Sequence, residues 1–339
     1  MTRTTLDIAI EELQRGGVVA IPTETVYGLA AAINSRVGIE KIFSVKQRPF
    51  FDPLIVHVSS KKMAESLTTE WSPVANFLAE QFWPGPLTLV LPKKDSVDSM
   101  ITSGLPTVGI RMPNSSLTLS LIEKLNCPLA APSANRFGRT SPTCVEHVRA
   151  EFPNETFPIL DGGPCEVGLE STVLSIQKIS TGFQLSILRK GHIKQSDLEI
   201  ALAGQGFQIS FVEQLNRRES PGQMKHHYMP EIPLVILQNL TMAPAQVLAK
   251  ISAELSLLPD EVDGVQIRKP KKITNVVELI LPTDAALAAR RLYALLRETS
   301  EGVSPAPDLI LFRKQPIHDG ESWFALMDRL TKAASLILQ

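Results

Sequence analysis

The sequence predicts an α/β protein with two domains. Residues 17–57 run in the order strand, polar turn, helix, basic loop and strand, which is typical of a fold that forms a pocket at the carboxyl end of a sheet. Beyond residue 232, short apolar runs alternate with amphipathic segments and predict a smaller, mostly parallel, Rossmann-like sheet. A chain of 339 residues also exceeds one average core. We predict domains at 1–205 and 233–339, joined by a linker at 206–232.

In the first domain, apolar runs and turn residues mark the elements. An amphipathic helix ends at Gly16-Gly17, a strand leads to Pro22, and a helical segment lies between Gly28 and Lys46. Further helices are predicted at 60–68, 73–82, 115–125, from Ser141-Pro142 onward, and at 195–203. Further strands are predicted at Pro53–Val58, Leu87–Leu91, 107–113, Leu129–Ala131, Ile159–Gly163, Ser171–Ile176 and Gln184–Leu188.

In the second domain, strands are predicted at 234–238, within 262–269, within 276–282 and at 308–314. Helices are predicted at 243–255 and 284–300, and a last helix carries on one face Trp323, Met327, Leu330, Ala334 and Ile337. No GxGxxG follows the first of these strands, so the sequence does not predict a dinucleotide site.

Composition excludes several classes of function. The formal net charge is −1, so no overall field attracts nucleic acid or an anionic membrane, and an anion site must be a local cluster of Lys and Arg. Cys127, Cys144 and Cys165 show no CxxC spacing, which argues against a disulfide framework or structural zinc. The first helix carries acids and is not a signal peptide, and no apolar run reaches membrane-spanning length. We therefore predict a cytoplasmic protein without a membrane partner.

Polar side chains end or follow many of the predicted strands, and strand ends on one edge of a sheet converge. These clusters contain Thr23 and Thr25, Lys46 and Arg48, His57, Thr107 and Arg111, Ser133 and Asn135, Ser141, Ser171, Arg189, and His227-Tyr228. Each has a purely structural alternative, such as a turn, a helix end, a buried histidine or a cap. Arg111 is more informative, because a cation that ends an apolar strand needs a partner. Hydroxyls, Lys, Arg and His together suit a small anionic ligand.

Eight strings, in order, resemble the threonylcarbamoyl-AMP synthase (YrdC-like) family. They are PTETVYGLA (22–30), KQRP with DPLIVH (46–57), FWPGPLTLVL (82–91), TVGIRMP (107–113), APSANRFGRTSPT (131–143), GLESTVL (168–174), ILRKG (187–191) and SPGQMKHHYMP (220–230). The tail is similar to the C-terminal domain of two-domain members. The resemblance implies a twisted mixed sheet around a concave, positively charged cavity.

The resemblance also implies an activity and a set of site residues. Such enzymes join L-threonine, bicarbonate or CO2, and ATP, with Mg²⁺, to form threonylcarbamoyl-AMP and pyrophosphate. Other proteins then transfer the threonylcarbamoyl group to tRNA, so tRNA would be an indirect or weak partner of the enzyme itself. The implied threonine-binding residues are Thr25, His57, Arg111, Ala131 and Ser171. The implied ATP-binding residues are Arg48, Asp52, Thr107, Ser133, Ser141, Arg189 and Tyr228. A catalytic group comprises Lys46, Arg48, Ser133 and Asn135, with His57 as a proton acceptor or orienter of the threonine amine.

Two residues depart from the family pattern, and two alternative functions stay open. Asp52 stands where many relatives carry an uncharged polar residue, and Met229 replaces a small one. The linker that carries His227 and Tyr228 is a hypothetical lid. An RNA-binding module is the main alternative function, although the basic clusters lack interleaved aromatic residues. A domain that serves a carbamoyl transferase is the other, although no acylphosphatase or zinc-finger segment accompanies it.

Overall fold

The computed structural model describes residues 4–213, 226–238, 244–262, 264–301 and 305–339. The chain divides into two compact units, the first formed by 1–136 and 142–223 and the second by 137–141 and 224–339. Residues 137–141 therefore leave the first unit in the middle of a predicted polar loop and belong to the second. The predicted domain boundaries at 205 and 232 stay a prediction.

The first unit is a nine-stranded sheet in the order β1-β2-β6-β3-β5-β4-β7-β8-β9. Its strands are β1 (Val19–Ile21), β2 (Gly28–Ala32), β3 (Ile55–His57), β4 (Leu87–Pro92), β5 (Thr107–Arg111), β6 (Leu129–Ala130), β7 (Thr172–Ile179), β8 (Gly182–Arg189) and β9 (Ile209–Phe211). Its helices are α1 (Thr5–Gln14), α2 (Arg36–Lys46), α3 (Lys61–Glu65), α4 (Pro73–Phe82), α5 (Ser116–Leu125), α6 (Val145–Glu151) and α7 (Gln195–Leu202). Parallel and antiparallel pairs both occur, which confirms the predicted mixed sheet.

Side-chain caps explain where most of these helices begin. The hydroxyls of Thr4, Ser35, Ser60, Ser72 and Ser115 each accept the backbone N–H of the residue three positions later. Helix α2 ends where Gln47 adopts a left-handed conformation with φ of 53°. That reversal places Lys46 at the end of the helix and Arg48 at the start of a loop.

Two segments of the first unit differ from the prediction. Residues 28–32 form β2 instead of the start of a helix, because Ala30 pairs with β1 and Ala31 with β6, and this tertiary pairing overrides the helix preference of alanine. Ser141-Pro142 does not begin a helix; α6 begins at Val145 with Cys144 as its N-cap residue. The Pro142 carbonyl accepts the Tyr27 N–H at 2.9 Å, so this backbone is held extended by a distant turn.

Two further predictions of the first unit also need correction. The predicted strand at 159–163 is only an isolated bridge between Ile159 and Ala20, and β9 lies inside the predicted linker. The other predicted helices and strands of this unit are confirmed, with ends shifted by a few residues.

The two faces of the central strands differ in what they contact. Val56, Leu89, Ile110 and Leu174 lie in the main hydrophobic core. A separate small cluster on the opposite face contains Ile55, Val90, Val173 and Leu188. Because side chains alternate along a strand, His57 shares the face of Ile55, and Arg111 that of Gly109. His57 and Arg111 therefore lie on the face opposite the main core.

The second unit contains a four-stranded parallel sheet in the order β13-β14-β10-β15 and a hairpin of β11 and β12. Its strands are β10 (Leu234–Leu237), β11 (Glu261–Val262), β12 (Val265–Gln266), β13 (Val276–Glu278), β14 (Leu309–Arg313) and β15 (Leu336–Leu338). Its helices are α8 (Pro244–Leu257), α9 (Ala285–Glu301) and α10 (Phe324–Ala333), with short 3-10 helices at Pro316–Asp319 and Glu321–Trp323. This confirms the Rossmann-like parallel domain.

The predicted last helix is too long at its C-terminus. Helix α10 ends at Ala333, and Ile337 lies in β15 opposite Ile236, so neither Ala334 nor Ile337 lies on the helix. The segment predicted as one strand within 262–269 is instead the β11–β12 hairpin, which turns at Gly264 with φ of 80°. In the described parts of both units, no helix has the length and apolar character needed to cross a membrane.

Candidate active site

Arg111 lies at the end of β5 and is buried among polar groups. The register of β3 and β5 places it opposite His57, whose Nε2 lies 3.3 Å from Arg111 Nη2. Arg111 Nη1 donates to Thr25 Oγ1 at 2.9 Å and lies 3.4 Å from Glu24 Oε1. These contacts fix the plane of the guanidinium group. Its Nε has no hydrogen-bond partner among the described residues, which leaves one buried donor for another group.

Glu24 is a site residue that sequence reasoning missed. Its second oxygen accepts the backbone N–H of Asn114 at 3.0 Å, so the carboxylate is held on both sides. Buried cations in proteins need an ion partner, and the acid beside Thr25 was the available signal. Glu24 therefore compensates the charge of Arg111 within the site.

Burial shifts the pKa values of His57 and Arg111. It lowers the pKa of His57 well below the ordinary value of 6.5; the nearby Arg111 lowers it further, and the backbone carbonyls of Ile55 and Leu129 oppose the shift. His57 is therefore neutral at pH 7. Burial also lowers the pKa of Arg111, and the carboxylate of Glu24 counteracts this.

The turn after β1 holds Thr25 in place through Thr23. Thr23 Oγ1 accepts the backbone N–H groups of Thr25 and Val26, both at 3.2 Å, and donates to the Val26 carbonyl at 2.7 Å. It also lies 2.8 Å from Thr25 Oγ1. The hydroxyl of Thr25 is thus preorganised beside Arg111.

Lys46 is buried and contacts the Ser133 loop. Its Nζ donates to the Ser133 carbonyl at 2.5 Å and to the Asn135 carbonyl. Burial lowers the pKa of Lys46 well below 10.5, and the positive charge of Arg48 lowers it further, while Glu151 and Asp52 raise it. Of the predicted catalytic group, Lys46 is thus connected to Ser133 and Asn135 through their backbone oxygens.

Arg48 binds its own loop. Its Nη2 lies 2.9 Å from Asp52 Oδ2 and donates to the Pro53 carbonyl at 2.9 Å, while its Nε donates to the Asp52 carbonyl at 3.2 Å. Both side chains of the ion pair are buried. The structure therefore gives Asp52 a cation as its partner.

Ser171 and Arg189 form another polar cluster on the same sheet. Arg189 Nη2 donates to Ser171 Oγ at 3.1 Å, and its Nε donates to the Ser171 carbonyl at 3.1 Å. The hydroxyl of Thr88, which the sequence did not single out, lies 2.8 Å from Ser171 Oγ. The positive charge of Arg189 also lowers the pKa of Arg111, so the Ser171–Arg189 cluster lies within electrostatic range of Arg111.

Backbone contacts join these clusters. The Ala131 N–H donates to the Ile55 carbonyl at 3.0 Å, and Ser133 forms an isolated bridge with Gly28. Arg111 and His57 are thereby linked, through Ala131 and Ser133, to Lys46. Thr107 lines a small surface depression whose other walls include Pro53, Thr88, Gly109 and Val173. Among the predicted first-unit residues, the structure pairs Thr25 and His57 with Arg111, Ser171 with Arg189, and Lys46 with the loop of Ser133 and Asn135.

Ser141 and Tyr228 belong to the second unit. The buried ring of Tyr228 stacks on Tyr293 with centroids 5.7 Å apart, and the guanidinium of Arg329 lies 5.3 Å from its centroid. Thr140 Oγ1 donates to the Tyr228 carbonyl at 3.2 Å, and Met229 N–H donates to the Gly138 carbonyl at 2.8 Å. Residues 214–225, which include the start of the eighth string, lie outside the described residues.

The carboxylates of the first-unit site do not form a metal site. Glu24 is bound to Arg111 and Asp52 to Arg48. Among the residues that the structure describes, no three His, Cys, Asp or Glu side chains are grouped to hold a metal ion. A divalent ion at this site would depend on ligands that arrive with a substrate.

Known families match both parts of the chain. The Sua5/YciO/YrdC family, described as "Telomere recombination", matches residues 11–191, and the family described as "Threonylcarbamoyl-AMP synthase, C-terminal domain" matches residues 193–335. These matches confirm the resemblance found in the sequence and its two-domain form.

Named relatives agree with the family matches. Threonylcarbamoyl-AMP synthase of Pyrococcus abyssi is 38% identical over 233 residues, which cover 68% of this chain and 67% of the relative. That of Bacillus subtilis is 41% identical over 228 residues, covering 67% and 65%. That of Schizosaccharomyces pombe is 31% identical over 377 residues, covering 100% and 90%.

Solved structures extend the likeness to the whole chain. The crystal structure of P. abyssi Sua5 complexed with L-threonine has a TM-score of 0.78 at 31% identity and covers 100% of this chain and 98% of its own. A variant of that protein, with a histidine and the adjacent tyrosine changed to alanine, has a TM-score of 0.75 and covers 98% and 94%. The chain therefore belongs to the Sua5/YciO/YrdC family, in the form with the threonylcarbamoyl-AMP synthase C-terminal domain, and is an enzyme of the nucleotidyltransferase class.

Proposed function

We propose that this protein is an L-threonylcarbamoyladenylate synthase. It would join L-threonine, bicarbonate or CO2, and ATP to give threonylcarbamoyl-AMP and pyrophosphate. The observation that carries the proposal is Arg111, a buried guanidinium fixed by Glu24, Thr25 and His57 that keeps an unpartnered Nε among the described residues. A fixed guanidinium suits an amino-acid carboxylate. The relative solved with L-threonine supports this assignment.

Threonine would bind with its carboxylate on Arg111 and its polar groups near Thr25 and Ser171, with Ala131 as a wall. The amine must be unprotonated to attack CO2. His57 is neutral, but its lowered pKa makes it a weak general base. Because Arg111 can only donate, His57 Nε2 accepts from it and Nδ1 carries the proton; we therefore assign His57 the role of orienting threonine through Arg111, with proton removal left to another group.

The carbamate oxygen would then attack the α-phosphorus of ATP, and pyrophosphate would leave. Negative charge would collect on the phosphoryl oxygens, where Lys46 and Arg48 offset it. Without an anion, burial and Arg48 disfavour the charged form of Lys46. A phosphate beside Lys46 would raise its pKa, so the protonated form of Lys46 would be favoured when the nucleotide binds.

The remaining ATP-binding assignments are proposals from the family resemblance. They comprise Asp52, Thr107, Ser133, Ser141, Arg189 and Tyr228, while the resemblance implies a catalytic role for Asn135 together with Lys46, Arg48 and Ser133. We propose Mg²⁺ as the ion carried by the phosphates of ATP, in line with the preference of Mg²⁺ for substrate phosphates and few protein ligands.

The product would be used by other proteins in forming N6-threonylcarbamoyladenosine in tRNA. A cytoplasmic location agrees with three free cysteines, Cys127, Cys144 and Cys165. The linker around His227 and Tyr228 is proposed as a lid. The relative with a replaced His–Tyr pair shows that such a pair exists in a two-domain relative.

The proposal is tested by incubating the full chain with L-threonine, labelled bicarbonate and MgATP. We expect a labelled adenylate and one pyrophosphate per adenylate, both dependent on threonine. Reactions that lack threonine or contain L-serine are the controls. Binding of RNA with no threonine-dependent product would instead support the RNA-binding alternative and reject the synthase.

A further inference from the structure

The loop from Gln47 to Pro53 binds one of its own carboxylates at the proposed phosphate site. Arg48 and Asp52 are four residues apart, and their side chains are only 4% and 6% exposed. Between them, Phe50 and Phe51 are 59% and 62% exposed. The loop thus has a buried, ion-paired base and an exposed tip.

We infer that Asp52 is an internal competitor for the phosphate group at Arg48 and thereby lowers the affinity of the enzyme for ATP. The inference rests on the proposed function, which assigns Arg48 to ATP. It makes Asp52 a residue that tunes nucleotide affinity, in contrast to the direct ATP contact that the family resemblance implies.

The geometry gives the reason for competition. Asp52 Oδ2 lies 2.9 Å from Arg48 Nη2 as an ion pair without hydrogen-bond alignment, and the Pro53 carbonyl accepts from the same nitrogen at 2.9 Å, so the carboxylate stands beside the charge that a phosphate oxygen would approach. Two anions cannot share one guanidinium edge in a buried site without strong repulsion. A phosphate must therefore displace the Asp52 carboxylate, or bind beside it at a cost in affinity.

The same carboxylate stabilises the protein without ligand. The buried cation Arg48 disfavours the charged form of Lys46, and Asp52 counteracts this at Lys46. Removing the charge of Asp52 would leave Arg48 with less compensation until an anion binds. Stability of the free protein and affinity for phosphate should consequently change in opposite directions.

The test compares the full chain with the isosteric variant Asp52→Asn. We expect the Kd for MgATP, measured by calorimetry, to fall about tenfold, the scale of one charge-assisted hydrogen bond. The Kd for threonine should stay within about twofold, and the Tm of the free protein should fall. Glu40→Gln, which removes the exposed partner of Arg36 at 3.2 Å, is the control and should change none of these values.

Pyrophosphate serves as a second probe, because it tests the phosphate without the nucleoside. If the full chain bound pyrophosphate but no ATP, the proposed function would fail, and the ratio of pyrophosphate affinities would still decide the role of Asp52. An unchanged or weaker affinity in Asp52→Asn would overturn the inference and favour a direct or purely structural role. Asp52→Ser carries the same test if the asparagine variant does not fold.

Discussion

Replacing Arg111 by lysine should weaken threonine binding specifically. Lysine keeps the positive charge beside Glu24 but loses the planar fork and the Nε donor. A hydrogen bond to a charged group contributes about 1.5–3 kcal/mol. The Kd for threonine should therefore rise about 10- to 150-fold, at 1.4 kcal/mol per factor of ten. Lysine is preferred to alanine, because alanine would leave the Glu24 carboxylate buried without its cation, at a cost of about 3–5 kcal/mol in folding free energy.

Calorimetry measures this effect on the full chain with threonine and MgATP titrated separately. The Kd for MgATP should stay within about twofold, and the Tm should change little. Arg36→Lys, at an exposed site of the same unit, should leave both affinities unchanged. Equal weakening of threonine and ATP binding would show that Arg111 is structural and would refute its assignment to the carboxylate.

Three further predictions use the same structural reasoning. The pKa of His57 is lowered from 6.5, so as the pH falls the unfolded chain binds a proton at this residue before the folded protein does. The contribution of neutral His57 to the unfolding free energy is therefore present above pH 6.5 and is lost below it. His57→Gln should flatten the decline in unfolding free energy between pH 6.5 and 5. Lys46 should take up a proton when MgATP binds at pH 8, detected by calorimetry in buffers of different ionisation enthalpy and abolished in Lys46→Met. Arg297 donates to the Thr140 carbonyl, so Arg297→Ala should speed hydrogen exchange in 137–141 and cost about 1–3 kcal/mol of folding free energy.

Each of these has a control and a contradicting result. Parallel stability profiles of the wild type and His57→Gln would show that His57 does not titrate as described. Proton uptake that persists in Lys46→Met would assign it to another group. Arg291→Ala on the same helix α9 removes only an exposed ion pair with Glu298; an effect on exchange equal to that of Arg297→Ala would mean that helix stability, and not the bond to Thr140, is responsible.

The sequence predicted the parts of the site that depend on strand ends. His57 and Arg111 each finish a short apolar strand, and parallel register places them side by side. The one helix start predicted from a cap, at Ser141-Pro142, was wrong, because a hydrogen bond from the distant Tyr27 holds this backbone extended. The carboxylate of Glu24 was missed because its partner Arg111 lies 87 residues away, and the signal, an acid available to a buried cation, depends on that long-range pairing.

Long-range contacts set the features that could not be predicted. The alanine-rich β2 is a strand because strands on both sides pair with it. Lys46 binds carbonyls of Ser133 and Asn135, about ninety residues away, and no sequence pattern specifies a backbone acceptor. Residues 137–141 belong to the second unit through contacts with Tyr228 and Met229, although residues 142–223 of the first unit lie between them in sequence.

A crystal structure of the full chain with L-threonine and a non-hydrolysable ATP analogue tests the central claim most directly. We predict the threonine carboxylate within hydrogen-bond distance of Arg111 and the nucleotide phosphates within that distance of Arg48 and Lys46, in one continuous hollow of the first unit. Threonine and phosphates bound in separate hollows, or a carboxylate away from Arg111, would contradict it.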